Sequence, residues 1–362
     1  MKGKRLGQAG LLSGRPAYIT AIFVLLAVLG FSLLLAVTIG SVHIPIQDVY
    51  GVIVNRLFGL GDSSVYGQGK IRDVVLFIRL PRLILAVAVG ICLSISGVVM
   101  QAVVKNPLAE PYVLGISSGA SLGATLAIML GVGVFFGSNY VGAMACLGAF
   151  LISMGVGALA NIGGRATSVK LLLAGMALSS LCGAFSSFVV YFANDRDGMR
   201  DVSYWMMGSL AGASWESNAV VFPLAVAGLL FFWTQHRTLN LMLLGDEASI
   251  TLGTDLHLYR QVYLLVSSLL IGFSVYCAGV IGFVGLIIPH VVRMLFGTDH
   301  KKMVPLCGLS GAVFLVWADV LCRVVVPGME LPIGVLTSMI GAPCFIYLMV
   351  RRKYGFGGGG GD

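Results

Sequence analysis

The sequence has few charged residues for its length. Of its 362 residues, 10% are charged and 58% are hydrophobic, whereas soluble globular proteins carry about 25% charged and about 45–50% apolar residues. The charges lie in short clusters between apolar runs of about 20 residues. One soluble core cannot bury so many apolar runs, so we expect lipid to be the solvent for most of the chain. This excludes soluble enzymes, disordered proteins and disulfide scaffolds.

The sequence also lacks the usual signatures of metal binding, phosphate binding and catalysis. Its 7 cysteines form no C-x-x-C pair, and its 5 histidines form no H-x-x-x-H or H-E-x-x-H pattern. It contains no G-x-x-x-x-G-K-[ST] phosphate loop, so we do not expect it to bind ATP in that manner. We therefore predict a non-catalytic chain with no cofactor and no metal site, whose nucleotide chemistry belongs to a separate subunit.

Apolar runs of spanning length predict an all-α, polytopic membrane protein of about ten transmembrane helices. The runs cover residues 17–39, 83–104, 113–133, 140–161, 169–192, 217–235, 260–280, 281–296, 305–323 and 333–350. Only Gly279 and Gly282 separate the seventh run from the eighth, so nine crossings are the alternative. We expect a cytoplasmic segment over 1–16, a single transmembrane domain over 17–351 and a disordered Gly-rich tail over 352–362.

The distribution of basic residues indicates the orientation of the chain. With ten crossings, the segments on the side of the termini hold a clear excess of Lys and Arg, while the opposite segments are close to neutral. The positive-inside rule then places both termini in the cytoplasm, and the net charge of +8 needs no nucleic acid to explain it. One outer segment, residues 40–82, departs from this pattern because it holds five basic residues: Arg56, Lys70, Arg72, Arg79 and Arg82.

Small residues at helical spacing predict close helix packing. The chain has 49 glycines, and pairs such as Gly119 and Gly123 allow neighbouring backbones to approach each other within lipid. In the fifth run, Gly175, Ser179 and Ser186 share one helix face. That face is either a helix contact or the weakly polar wall of a passage for a bulky solute.

Ionisable residues are rare within the apolar runs. Asp319 and Arg323 stand four residues apart, a spacing that predicts an ion pair on one helix face. Carriers driven by ions usually show carboxylates or matched broken helices near the middle of the membrane. We find no such pattern in the sequence and therefore expect the energy for any transport to come from another subunit.

The inner segment 236–260 contains a short amphipathic stretch with acidic residues on an otherwise basic face. It is either a solvated loop or a docking helix for a cytoplasmic motor. The residues that carry the second interpretation are Gly245, Asp246, Glu247, Ala248, Leu252 and Gly253.

Distinctive short strings occur along the chain from about residue 17 to 351. They include RLPR at 79–82, NPLAEP at 106–111, LLLAG at 171–175, YWMMG at 204–208, GFVGLIIPH at 282–290 and GAP at 341–343. Together they resemble the permease family of ABC importers for iron-siderophores, haem and cobalamin, and they are close in pattern to the cobalamin permease. The resemblance implies a homodimer in the bacterial cytoplasmic membrane, two cytoplasmic ATP-binding subunits and an extracytoplasmic substrate-binding protein.

The resemblance also implies roles for individual positions. Arg79, Arg82 and Arg323 match positions that dock carboxylates of the binding protein. Asn106 and Leu108 match a first cytoplasmic gate, Thr167 and Ser168 match a second one, and segment 245–256 matches the coupling helices that contact the ATPase. Gly175, Ser179 and Ser186 are then expected along the passage.

These strings do not distinguish between possible cargoes or between a homodimer and a heterodimer. An iron complex, either a siderophore or haem, is the expected cargo, moved by ATP-driven alternating access, and cobalamin is the alternative. A heterodimer of two similar permeases is the alternative to a homodimer. An ion-coupled secondary transporter or channel is the alternative from another functional class.

Overall fold

The computed structural model describes residues 12, 14–40, 42, 44–61, 63–164 and 166–351. Within these ranges the chain forms helices and irregular connections and no β-strand, which confirms the all-α fold class. The Gly-rich tail expected at 352–362 and most of the segment 1–16 lie outside the described residues.

The α-helices follow one another along the chain with short connections. They are α1 (Arg15–Thr38), α2 (Ile46–Phe58), α3 (Ser63–Tyr66), α4 (Lys70–Asp73), α5 (Leu80–Val104), α6 (Ile116–Leu130), α7 (Tyr140–Asn161), α8 (Ser168–Ala193), α9 (Arg196–Met206), α10 (Trp215–Thr234), α11 (His236–Leu244), α12 (Asp246–Thr251), α13 (Leu256–Ala278), α14 (Val284–Phe296), α15 (His300–Val324) and α16 (Ile333–Arg351).

Ten of these helices coincide with the ten apolar runs. Seven stretches are long and apolar enough to cross a bilayer. Six of them are the helices α1, α7, α8, α10, α13 and α15, and the seventh is the continuous stretch Lys70–Val104, which includes α5. Three shorter apolar helices, α6, α14 and α16, correspond to the remaining runs. The helix that contains α5 is longer than predicted, because a π-helical segment (Val74–Arg79) joins it to α4.

Helix α5 forms the centre of the bundle. In its most apolar stretch of 18 residues, 94% of the residues are buried inside the bundle. The helix packs against α10, α13, α14 and α15. Contact with α14 depends on Gly97, because a Cβ atom at that position would overlap the carbonyl oxygen of Gly285. Close backbone approach over glycine is the expected way for helices to associate in lipid.

A second group of helices, α6, α7 and α13, packs around a small core of its own. Gly119 and Gly123 of α6 face α7, where added Cβ atoms would overlap the backbone oxygens of Gly148 and Met144. This confirms the helix contact predicted from their spacing. Helix α8 packs mainly against α6, α7 and the turn at Pro111–Leu114, and most of its residues are exposed.

Helix α2 is an element that the hydropathy pattern did not predict. It has 13 residues, too few for a span, and mixes apolar residues with Asp48 and Arg56. Val49 and Val52 face inward, while Leu57 and Phe58 are exposed. Such an amphipathic helix is typical of a position along the membrane surface.

Candidate functional site

Three arginines that the sequence analysis singled out meet at one end of the bundle, where α5 begins and α15 ends. The Nε atom of Arg82 lies 2.7 Å from Oδ1 of Asp319, and its Nη1 lies 2.9 Å from Oε2 of Glu330. Arg323 Nη2 lies 3.1 Å from Oδ2 of Asp319, which confirms the ion pair predicted from their spacing. Asp319 is fully buried, and because it pairs with both Arg82 and Arg323 it holds their two guanidinium groups together.

Arg79 and Arg323 also satisfy the carbonyl groups at the end of α1. Arg79 donates to the carbonyl oxygens of Val37 at 2.9 Å and Thr38 at 3.0 Å, and Arg323 donates to that of Ile39 at 2.8 Å. The last carbonyls of a helix have no partner within the helix and carry its negative dipole end, so guanidinium groups stabilise them.

Apart from the Asp319–Arg323 pair, these internal partners were not expected from the sequence. Arg79, Arg82 and Arg323 are only 4%, 5% and 6% exposed, whereas the side chain of Glu330 is 40% exposed. We call these three arginines with Asp319 and Glu330 the arginine cluster. It is a buried charge network that opens to the surface at Glu330.

At the opposite end of the bundle, the two predicted gate segments are neighbours. Ser168, at the start of α8, donates through Oγ to the carbonyl oxygen of Val103 at 3.3 Å, at the end of α5. The side chain of Asn106 accepts from the amide of Leu108 at 2.9 Å and so shapes the turn after α5. Thr167 caps α8 by accepting from the amide of Lys170.

The acidic stretch at 245–253 joins these gate segments through a residue that the sequence analysis did not select. Arg260 Nη2 lies 2.7 Å from Oδ1 of Asp246, and Nη1 donates to the carbonyl oxygen of Ala166 at 2.8 Å. Arg260 is only 3% exposed, and Ala166 directly precedes Thr167. One buried side chain therefore joins α12 to the residue that precedes the second predicted gate segment.

The residue that precedes α12 also lies close to the residue that precedes the first predicted gate segment. Gly245 has φ +106, and a Cβ atom there would lie 3.0 Å from Nζ of Lys105, the residue that ends α5. Ser249 fixes the turn between α11 and α12 because its Oγ donates to the carbonyls of Gly245 at 2.7 Å and Leu241 at 3.1 Å.

Apolar side chains near α12 are exposed although they lie beside charged residues. These are Leu244, Ile250 and Leu252, and Glu247 and Gly253 are exposed next to them, while Ala248 is half-buried. An exposed apolar group surrounded by polar residues is typical of a protein contact surface.

The loop between α14 and α15 is tied to α11 by Asp299. Its carboxylate accepts from the side-chain amide of Asn240 at 2.9 Å and from the backbone amide of Lys301 at 3.1 Å. Burial by itself would raise the pKa of Asp299, but these hydrogen bonds and nearby Lys302 outweigh it and lower the pKa. The carboxylate thus stays ionised as the cap of α15.

Two irregular segments meet within the bundle. The carboxylate of Glu110 accepts from the backbone amide of Phe283 at 2.5 Å, and the hydroxyl of Tyr112 accepts from that of Ile281 at 3.4 Å. Phe283 has φ +68, an unusual conformation for an aromatic residue. Non-helical backbone is tolerated inside a membrane protein where such partners satisfy it.

One of these two irregular segments also lies beside α8. Gly115, five residues after Glu110, contacts Ser179. The sequence analysis did not predict this contact, because the segment between the second and third runs is short and resembles a loop.

The predicted passage residues on α8 have different surroundings. Gly175 and Ser179 contact Gly115 inside the chain. Ser186 lines a cavity of about 590 Å³ between α6, α8 and α9. Its wall is weakly polar, with hydroxyl groups from Ser121 and Thr125.

The family model described as the FecCD transport family matches residues 25–351, which includes both ends of the bundle described above. The chain belongs to the FecCD transport family. Members of this family are permease subunits of ABC importers in the bacterial cytoplasmic membrane, and ATP is hydrolysed by a separate subunit. The expected non-catalytic role is thereby confirmed.

Several relatives within the FecCD family cover most of the chain. The ABC transporter permease protein YvrB of Bacillus subtilis is 37% identical over 329 residues, which cover 90% of this chain and 92% of the relative. The vitamin B12 import system permease protein BtuC of Salmonella typhi is 40% identical over 275 residues, 76% of this chain and 82% of the relative. The hemin transport system permease protein HmuU of Yersinia pestis is 41% identical over 284 residues, 76% and 83% of the two chains.

The fold agrees with a solved structure as well. A metal-chelate type ABC transporter in an inward-facing conformation superimposes with a TM-score of 0.76 at 29% identity, and the match covers 92% of this chain and 100% of that chain. The FecCD fold therefore extends over nearly all of the described residues.

Proposed function

We propose that this FecCD permease crosses the membrane ten times with both termini in the cytoplasm and imports a metal chelate by ATP-driven alternating access. Ten apolar helices and the excess of basic residues on one side support this topology. The arginine cluster then faces outward, and α12 with the two gate segments faces the cytoplasm.

The observation that carries the proposal is the buried bridge made by Arg260. It joins Asp246 of α12 to the carbonyl of Ala166, next to Thr167. We propose that the ATPase contacts the exposed residues around α12, and that its closure moves α12 and, through Arg260, the gate formed by Asn106, Leu108, Thr167 and Ser168. Such a rigid link converts a local shift into a change of the gate.

We further propose that the arginine cluster docks the substrate-binding protein by exchange of carboxylates. Glu330 is the more exposed of the two acids that hold Arg82. A carboxylate of the incoming protein would replace Glu330 and pair with Arg82, while Arg79 and Arg323 hold the site in place. Charge-assisted pairs of this kind fix the register of a complex.

The passage itself is proposed to lie between two copies of the chain. Helix α8 is largely exposed in the single chain, and Ser186 lines a weakly polar cavity beside it. A second copy would cover the exposed face of α8, with Gly175 and Ser179 supporting this wall from behind.

An iron complex, siderophore or haem, is the proposed cargo, and cobalamin is the alternative. Both are consistent with the names of the relatives, since HmuU belongs to a hemin transport system and BtuC to a vitamin B12 import system. Binding of iron-siderophore, haem and cobalamin by the partner binding protein would decide between them.

The proposal is tested by uptake into proteoliposomes that contain the permease, its ATPase and its binding protein. We expect uptake to require ATP and to persist when ionophores remove ion gradients. Arg260→Gln should lower uptake by roughly 2- to 30-fold, the range typical of lost coupling between sites, while ATP hydrolysis continues.

Lys301→Gln is the matched control, because Lys301 is an exposed basic residue on the same face and its side chain is not part of the bridge. This variant should transport like the unmodified protein. Unchanged uptake by Arg260→Gln would contradict the coupling proposal, and uptake that ignores ATP but collapses with ionophores would favour an ion-coupled carrier.

A further inference from the structure

Three basic residues of the outer segment 40–82 remain outside the arginine cluster, and two of them line a groove. Arg56, near the end of α2, and Arg72, in α4, line a groove of about 590 Å³. Its remaining lining is apolar and includes Leu57, Phe77 and Trp215. Both charged residues that line the groove are arginines, so the groove combines positive charge with an apolar surface.

The groove lies at the end of a lipid-facing stripe on α10. The stripe begins at Trp215 and continues 7, 11 and 18 residues later with Phe222, Val226 and Trp233. These spacings place the four residues on one helix face, and all four are exposed. Trp215 and Trp233 are about 27 Å apart along the helix, close to the ~30 Å hydrocarbon thickness. Tryptophan is enriched at both membrane interfaces, so the groove beside Trp215 lies at the level of lipid headgroups.

The arginines are arranged so that an anion can reach them. Arg56 is exposed. Arg72 pairs with Asp73 at 2.9 Å and lies 5.5 Å from the centre of the Phe77 ring. A guanidinium group has five N–H donors, so the contact with Asp73 leaves donors of Arg72 for a phosphate. Trp215 is held in position because its indole N–H donates to the carbonyl of Leu76 at 2.8 Å.

We propose that this groove binds an anionic phospholipid of the outer leaflet. The phosphate group lies between Arg56 and Arg72, and an acyl chain follows the exposed stripe of α10 from Trp215 to Val226. The site explains why basic residues persist on a side of the membrane where they are otherwise few. It is separate from the proposed gate and coupling residues, so it can be tested without transport.

The test uses the purified full chain in phosphatidylcholine vesicles that contain an equal, minor fraction of either brominated phosphatidylglycerol or brominated phosphatidylcholine. Bromine quenches tryptophan fluorescence on contact, and the difference between the protein and its Trp215→Phe variant isolates Trp215. We expect stronger quenching of Trp215 by phosphatidylglycerol. Arg56→Gln with Arg72→Gln should reduce this preference by about fivefold for each arginine, and Arg56→Lys with Arg72→Lys should keep most of it.

Lys70→Gln with Arg200→Gln is the matched control, since both residues are exposed and neither lines the groove. This pair should leave the preference unchanged. Retention of phosphatidylglycerol during detergent washing gives a second measurement that does not depend on Trp215. Equal quenching by the two lipids, an equal loss in the control pair, or full competition by soluble glycerol phosphate would overturn the proposal.

Discussion

At the scale of single residues, the arginine cluster shows how a few buried charges hold three parts of the chain together. Asp319 is fully buried between Arg82 and Arg323, and Arg79 and Arg323 bind the end of α1. Burying a charge is costly unless it is paired and hydrogen-bonded. The cluster therefore depends most on the acid that pairs with both arginines.

This dependence gives a prediction for Asp319. Asp319→Asn leaves two buried guanidinium groups facing a neutral amide, and the free energy of unfolding should fall by about 3–5 kcal/mol. Glu330→Gln should cost much less, because Glu330 is 40% exposed and water can replace it. The thermal unfolding midpoint of the purified protein compares the two variants. Equal losses would show that Asp319 is not the centre of the network.

The same pair of variants separates stability from docking. If the binding protein exchanges one of its carboxylates with Glu330, Glu330→Gln removes a competitor and should tighten binding of that protein to the permease. A variant that binds it more weakly would instead assign Glu330 a direct contact of its own.

At the scale of elements, the residues of the proposed gate lie where helices begin or end rather than within them. The segment from Glu110 to Gly115 and the segment from Gly279 to Phe283 hold each other through two hydrogen bonds to backbone amides. The proposed gate segments and α12 are joined near the ends of α5 and α8 by side chains that donate to backbone carbonyls. We expect these junctions to be the places where one helix moves relative to another during transport.

Glu110 distinguishes a structural role from ion coupling. Glu110→Gln retains an oxygen that accepts from the amide of Phe283, so ATP-driven uptake should be largely preserved. Glu110→Ala leaves that amide without its partner, which should lower the free energy of unfolding by about 1–3 kcal/mol. Proteoliposome uptake and thermal unfolding measure the two effects. Loss of uptake in a stably folded Glu110→Gln variant would instead assign Glu110 a role in proton transfer.

The sequence predicted most of the helices but few of the contacts between them. Hydropathy located the ten apolar helices, since each produces a long local signal, and spacing located the contact of Gly119 and Gly123 with α7. It missed α2, because 13 residues of mixed polarity resemble a loop. It also missed Arg260, because its partner Ala166 lies 94 residues away along the chain and comes close to it only in the folded bundle.

At the scale of the whole molecule, the two ends of the bundle have different chemistry. One end holds the arginine cluster and the groove lined by Arg56 and Arg72. The other holds the gate segments and the exposed surface around α12. As a FecCD permease, the chain needs one end for a binding protein and the other for an ATPase, so the account requires these two ends to lie on opposite sides of the membrane.

Side-specific labelling tests this requirement most directly. The test introduces one cysteine at each end of the bundle, by the substitutions Met329→Cys and Leu252→Cys. Met329 lies next to Glu330, Leu252 lies beside α12, and both residues are strongly exposed. A membrane-impermeant maleimide added to intact spheroplasts should label Met329→Cys at once and Leu252→Cys only after the membrane is permeabilised, with the unmodified protein as the background for its own cysteines. Labelling of both variants in intact spheroplasts, or of neither, would contradict the account.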